Sequence, residues 1–318
     1  MKKGFTPETN ADKLLRLYAD GKRDFQGINL KQAYLVEATL LGINLRGANL
    51  QLADLQDANL EEANLEEANL KQADLSEANL EGVNLRGANL QRAKLIGTEL
   101  CRANLQGANL RQAELSGVRS LSMADLRGVD LQKANLEGAN LERTNLQGVN
   151  LRQANLKMAR LFEADFSNAE LQDTVFQNAF YNETTRFPEG FDPVGAGMYL
   201  IAPKVKLSGA NLAESLLFEV DLSEADLTEA DLTEANLTEA NLRRANLKGA
   251  SLDNTNLEEA DLTNADLTEA NLSFASLSNA VILDAKFKNA SYNRFTRFPE
   301  GFDPVSAGMR WIDVDAIS

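Results

Sequence analysis

Residues 53–70 read ADLQDANLEEANLEEANL, with leucine at 55, 60, 65 and 70 and alanine two residues before each. A period of five suits neither regular element. On an α-helix, turning every 3.6 residues, leucines five apart would wind around every face. A strand alternates every two residues and would throw them onto opposite faces. The spacing fits a chain that turns a corner every five residues, with the leucine and the preceding small residue both pointing inward. Four such sides close a square coil of 20 residues, and successive coils stack as parallel strands ~4.8 Å apart. The alanine is then a steric demand, because a wide side chain would crowd so narrow an interior.

The same period extends far in both directions. It runs from Phe25 to Leu115, slips by one residue across SGVRSL (116–121), resumes from Leu121 to Tyr181, and returns from Leu207 to Tyr292. Of its 50 centres, 43 are Leu, and 36 have Ala two residues before them. The residue just before the centre is usually Asn or Asp. At the slip, Val118 can take an inward slot only if one residue bulges out. Burial cost forbids Arg119 from pointing inward, so a bulge with a solvated Arg119 is expected.

Tandem A(N/D)LXX, as in residues 53–70, resembles the pentapeptide-repeat family, and the resemblance covers about five-sixths of the chain. It implies an all-β fold, a right-handed quadrilateral parallel β-helix, of a cyanobacterial type. What it specifies is a scaffold rather than an activity. The family also includes quinolone-resistance members that resemble B-form DNA and bind gyrase. The resemblance therefore also admits a DNA-mimicking inhibitor of a topoisomerase or another DNA-binding protein.

Five segments follow: an N-terminal capping helix within 1–24, a first repeat block at 25–181, a loop or cap segment at 182–206, a second block at 207–292, and a C-terminal cap at 293–318. Within the first, residues 9–21 (TNADKLLRLYADG) have Thr9 or Asn10 to cap a helix, an apolar stripe of Leu14, Leu15, Leu17 and Tyr18, and Gly21 to end it. Such a helix would cover the raw edge of the first coil. The third and fifth segments share a duplicated stretch. AFYNETTRFPEGFDPVGAGM (179–198) and ASYNRFTRFPEGFDPVSAGM (290–309) match at 16 of 20 positions. The economical reading is a cap carried twice, after two capped solenoids were joined. A single continuous stack is the expectation, since it would remove two exposed ends.

Composition excludes most chemistry. The chain has 318 residues, no His, one Cys, 32 Lys+Arg and 47 Asp+Glu, a net charge of −15. That balance argues against direct nucleic-acid binding, which needs a basic footprint. Without His, and with Cys101 alone, the usual zinc and transition-metal ligand sets cannot be assembled. Asp and Asn recur once per pentapeptide rather than clustering in a calcium loop. No glycine-rich phosphate loop occurs. Carboxylates at outward positions of a convex surface have no cleft to shift them into catalytic use. No enzyme, cofactor or metal site is expected. The opening MKKGFTPETN lacks the apolar core of a secretory leader, and no apolar run approaches a membrane span. A cytoplasmic monomer or weak oligomer without membrane contact is the expectation.

What remains is surface. The block 25–181 carries 20 acidic and 15 basic residues, whereas 207–292 carries 16 and 5. Mimicry of DNA needs charge in lines along the axis, at positions 20 apart. Glu224, Glu229, Glu234 and Glu239 instead form a ring around one coil, and Arg244 interrupts the line above Glu224. In the first block Arg46, Glu66 and Arg86 should alternate as a ladder. An apolar, proline-kinked segment is the other candidate. Phe187, Phe191, Pro193, Tyr199 and Leu200 are its possible contacts with an unidentified protein partner, unless they pack on the stack as a cap.

Overall fold

The structure is a computed structural model that describes residues 9–313. The chain divides into two compact units, Met1–Tyr199 and Leu200–Ser318. Each is a right-handed quadrilateral β-helix. The only helix among the described residues is α1 (Asn10–Ala19), and the regular strands are the two-residue β1 (Phe180–Tyr181), β2 (Tyr199–Leu200), β3 (Ser291–Tyr292) and β4 (Arg310–Trp311). The rest of the sheet consists of single-residue parallel bridges, one per side of each coil, such as Asn44 to Asn64 and Asn64 to Asn84.

One pentapeptide, Asn64–Ala68, shows how the repeat satisfies its backbone. Asn64 N–H donates to Ile43 O in one neighbouring coil, and Leu65 N–H and Glu67 N–H donate to Asn84 O and Arg86 O in the other. Ala68 N–H closes the corner onto Leu65 O at 3.0 Å. The remaining amide, Glu66 N–H, donates to the side-chain Oδ1 of Asn64 at 3.1 Å. All five donors are met, as buried backbone requires. The Asn or Asp before each centre is therefore a structural acceptor. The corner also needs a left-handed third residue, the signature of a type II turn, and Glu67 has φ 58°.

The interior follows the repeat. From Leu30 to Leu161, and from Leu212 to Leu277, every leucine centre is at most 1% exposed. The alanines two before them share that core. Coil length is 20 residues except at the slip, where Glu99 bridges Ser120 and Asn104 bridges Asp125, and at the two caps, where Asp165 bridges Arg186 and Ser276 bridges Arg297. There Val118 is buried and Arg119 is exposed, with its guanidinium on Glu77. The extra residue is accommodated as the expected bulge.

Both ends of the first unit are covered. Helix α1 starts at Thr9, whose hydroxyl and backbone exchange hydrogen bonds with Asp12 in a capping box. Leu14 is buried, Leu15, Leu17 and Tyr18 pack on the core, and Tyr18 Oη donates to Leu41 O at 2.9 Å. At the other end Phe187 stacks on Phe166 at 5.6 Å and 8°, and Phe191 meets Phe176 at 5.4 Å. Met198 is buried beside them. The second copy of the duplicated stretch, 111 residues on, repeats the arrangement in its own unit. Phe302 lies against Phe287 and Phe298 against Tyr292, while β3 and β4 pair in parallel, Tyr292 opposite Trp311. Of the terminal segments, residues 1–8 and 314–318 lie outside the described residues.

Candidate interaction surfaces

The five residues singled out in the first cap do not form one exposed patch. Phe187 is half-buried in a cluster with Phe166, Tyr181 and Phe191, and Phe191 is half-buried between Phe176 and Phe187. Tyr199 stacks on Phe180 at 6.1 Å, and its amide donates to Ala179 O. Pro193 and Leu200 are half-buried, while Val194, absent from the sequence-based set, is 70% exposed. The rings thus have a capping task, and any contact made here uses their outer edges.

The two units differ in how their surface charge is balanced. In the first, ion pairs link successive coils: Arg46–Glu66 at 3.7 Å, Lys94–Asp74 at 2.9 Å, Arg143–Glu163 at 3.0 Å and Arg152–Glu170 at 3.2 Å. Such exposed pairs neutralise a face and add little stability. In the second, the repeats at 207–292 carry 16 acids against 5 bases. Glu224, Glu229, Glu234 and Glu239 occupy successive corners, and Lys204 reaches Glu224 at 3.7 Å. One axial line of charge is unbroken and was missed by counting from Glu224. Glu219, Glu239 and Glu259 are all exposed at the same corner of three consecutive coils, Glu219 N–H donating to Thr238 O and Glu239 N–H to Glu258 O. The twenty-residue register would have found it from Glu219.

The titratable groups show structural rather than chemical tuning. Hydrogen bonds from the Arg127 guanidinium hold the Asp125 carboxyl below its ordinary range, and the Thr228 hydroxyl and amide do so for Asp226. Burial, with Glu99 and Glu81 nearby, pushes the Cys101 thiol up, so it stays protonated at neutral pH, away from the reactive thiolate. Among the described residues, no three His, Cys, Asp or Glu side chains gather as a metal site, and no helix is long and apolar enough to cross a membrane.

The family model described as pentapeptide repeats matches residues 23–51, 53–92, 84–119, 120–157, 206–244, 245–282 and 255–291. No curated protein matches the sequence. Among solved structures, the chain is similar to HetL, a pentapeptide repeat protein involved in heterocyst differentiation regulation from the cyanobacterium Nostoc sp. strain PCC 7120. Identity is 28% over 89% of this chain and 96% of that one, with a TM-score of 0.36. It is 32% identical to a pentapeptide repeat protein from Nostoc PCC 7120, alr5209, over 42% of this chain and 84% of that one, TM-score 0.15. QnrB1, a plasmid-mediated fluoroquinolone resistance protein, aligns at 13% identity over 92% of this chain and 91% of that one, TM-score 0.30. With the model matched along both repeat runs, on the register and corner geometry described above, the chain belongs to the pentapeptide-repeat family.

Proposed function

We propose that the protein is a non-catalytic scaffold that works by binding a protein partner in the cytoplasm. The observation that carries this reading is where the chain departs from its repeat. The coils bury their centre leucines, and the proline-kinked RFPEGFDPV stretches that break the repeat form the caps. The outer edges of Phe187, Phe191, Pro193, Tyr199 and Leu200, with Val194 beside them, are the contacts proposed on the first cap. Affinity capture from a cyanobacterial lysate tests it, with the intact chain and a Pro193→Ser, Val194→Lys variant as baits. A prey held by the intact bait through a high-salt wash and lost from the variant is expected. No prey on either bait would overturn the reading.

A second reading, mimicry of duplex DNA toward a DNA-binding protein such as a topoisomerase, is favoured by the Glu219–Glu239–Glu259 line. Residues 207–292 carry a net −11. At ~4.8 Å per coil that is about one net charge per 2 Å of axis, close to the one per about 1.7 Å of B-DNA. A DNA-binding prey released by salt, and lost when those three glutamates become glutamine, would promote this reading over the first.

A further inference from the structure

One face of the first unit is nearly free of carboxylates. Its pentapeptides are centred on Leu30, Leu50, Leu70 and so on up to Leu151, one in each of seven successive coils. The two corner residues after each of those leucines read KQ, QL, KQ, QR, RQ, QK and RQ. Six of the seven corners thus carry one cation beside one glutamine, and none carries an acid. The backbone stacks them into a row: Leu52 N–H donates to Lys71 O, Arg92 N–H to Arg111 O and Lys133 N–H to Arg152 O. The residue before each leucine is asparagine except at Asp130, and Asn29, Asn49, Asn69 and Asn89 are linked side chain to side chain at 3.2–3.4 Å. Composition does not produce this, since the block 25–181 holds 20 acids to 15 bases. The acids gather at other corners, as at Glu61, Glu62 and Glu81, or Glu37, Asp57 and Glu77.

The acids next to this row are already matched by bases or amides. Asp130 pairs with Arg111 at 3.3 Å, and Arg152 pairs with Glu170 of the next coil at 3.2 Å. At the bordering corner Glu67 pairs with Arg46 at 3.5 Å, and Gly47, Gly87 and Gly107 raise no side chain there. On the adjoining face Lys94 pairs with Asp74 at 2.9 Å, while the side-chain amides of Gln56 and Asn135 bond Asp54 and Glu114. Four cations of the row are left without a counter-charge. Lys31, Lys71 and Lys133 make no ion pair among the described residues, and Arg92 donates from Nε to the neutral Gln112 Oε1 at 2.8 Å. Lys31, Arg92 and Lys133 are exposed, and Lys71 is half-buried.

A row of cations stepped by coils is complementary to a row of carboxylates with a similar step. An α-helix advances ~5.4 Å per turn against ~4.8 Å per coil, so over three turns the rows drift by only about 2 Å, within reach of a lysine stem. An extended strand sets same-side residues about 6.7 Å apart and falls out of step by more than a coil over the same span. We propose that this face is a docking site for an α-helix of a protein partner that carries carboxylates three and four residues apart along one side. A nucleic acid brings charge on every side and would meet the field of a chain at −15, whereas a helix can confine its acids to the contact. The proposal rests on the reading of the chain as an interaction protein. It concerns a surface separate from the first cap, so its failure leaves the capture experiment above unaffected.

The test uses two alanine-rich peptides of one composition, both stapled into helices. One gathers its glutamates along a single side and the other scatters them. Each is titrated into the full chain at low salt and followed by fluorescence anisotropy. The striped peptide should bind about fivefold tighter than the scattered one. A Lys71→Gln, Arg92→Gln, Lys133→Gln variant should bind the striped peptide about tenfold more weakly, the size of three modest exposed pairs. It should melt as the parent does, since glutamine already stands at these corners in every coil. A Lys94→Gln, Arg102→Gln, Lys157→Gln variant makes the same change of charge on other sides of the unit and should bind as the parent does. Equal affinity for the two peptides, binding of neither, binding that survives in the first variant, or equal loss in both variants would overturn the proposal. Tighter binding of oligothymidylate than of the striped peptide would do so in favour of a nucleic acid. A salt-sensitive dimer of the intact chain that the first variant abolishes would do so in favour of a second copy.

Discussion

Glu142 Oε2 lies 2.9 Å from the guanidinium of the buried Arg160, whereas Asp253, its counterpart in the duplicated coil, has Asn271 in place of that arginine. One carboxyl oxygen of Asp253 is buried without a hydrogen-bond partner among the described residues. Burial, opposed by the Asn254 amide, pushes its carboxyl up from the ordinary range. A raised carboxyl costs stability above its folded-state value and costs nothing below the unfolded value near pH ~3.9. Asp253→Asn should therefore raise the melting temperature at pH 7, with the gain vanishing below about pH 4. A gain that persists at acid pH would mean the charge is not its cause.

Asp125 and Asp226 have the opposite sign. Their carboxyls are held down in the fold, so their contribution is present above about pH 4 and is lost as pH falls through the lowered folded values. An Asp226→Ala variant should lie closest to the parent in acid and diverge from it toward neutrality, in thermal melts taken from pH 2 to 7.

Leu65 sits in the middle of the first unit's core. Leu65→Met should cost less than about 1.5 kcal/mol, because the volume is kept. Leu65→Lys should cost upward of about 3 kcal/mol, because an unpaired charge would be buried. Denaturant unfolding followed by circular dichroism measures both. Equal melting of the two variants would contradict the inward assignment.

Val281 occupies the position where most repeats place Asn or Asp, and it is 49% exposed. Elsewhere that side chain accepts the amide two residues on, as Asn64 does for Glu66. Val281→Asn should supply the missing acceptor to Leu283 and add roughly 0.5–1.5 kcal/mol. A loss on denaturant unfolding would refute the role assigned to the asparagines.

Deleting Arg119 should be tolerated. It leaves Val118, Ser120 and Leu121 in the places of Ala, Asn and Leu in an ordinary repeat and returns the bulged coil to 20 residues. Deleting Asn89, which lies in phase, should abolish cooperative melting. If the two deletions behave alike, the extra residue is not the one identified.

The repeat made much of this legible. Leucines five apart placed the core at Leu65, the proline-kinked repeats marked the caps, and Val118 beside Arg119 gave the bulge. The asparagine's task was not legible, because a preference for Asn64 over other polar residues shows itself only when the Glu66 amide is seen to need an acceptor. The left-handed corner was hidden for a related reason: Glu67, Arg92 and Phe274 all adopt it, so no single residue type announces it. The stacking of Phe274 on Phe295 escaped because the second cap shifts register by one, which puts partners 21 apart where the repeat leads one to look at 20.

The uniform register has a mechanical consequence. Within a unit the backbone hydrogen bonds of a 20-residue coil run to the coils before and after it, and the coil begins and ends at the same corner. Adding or removing 20 residues would thus change the length by ~4.8 Å and return the chain to the same corner. Each unit is in this sense a ruler with discrete graduations. Whatever its surfaces hold can be moved apart along the axis in fixed steps while keeping to the same side of the coil.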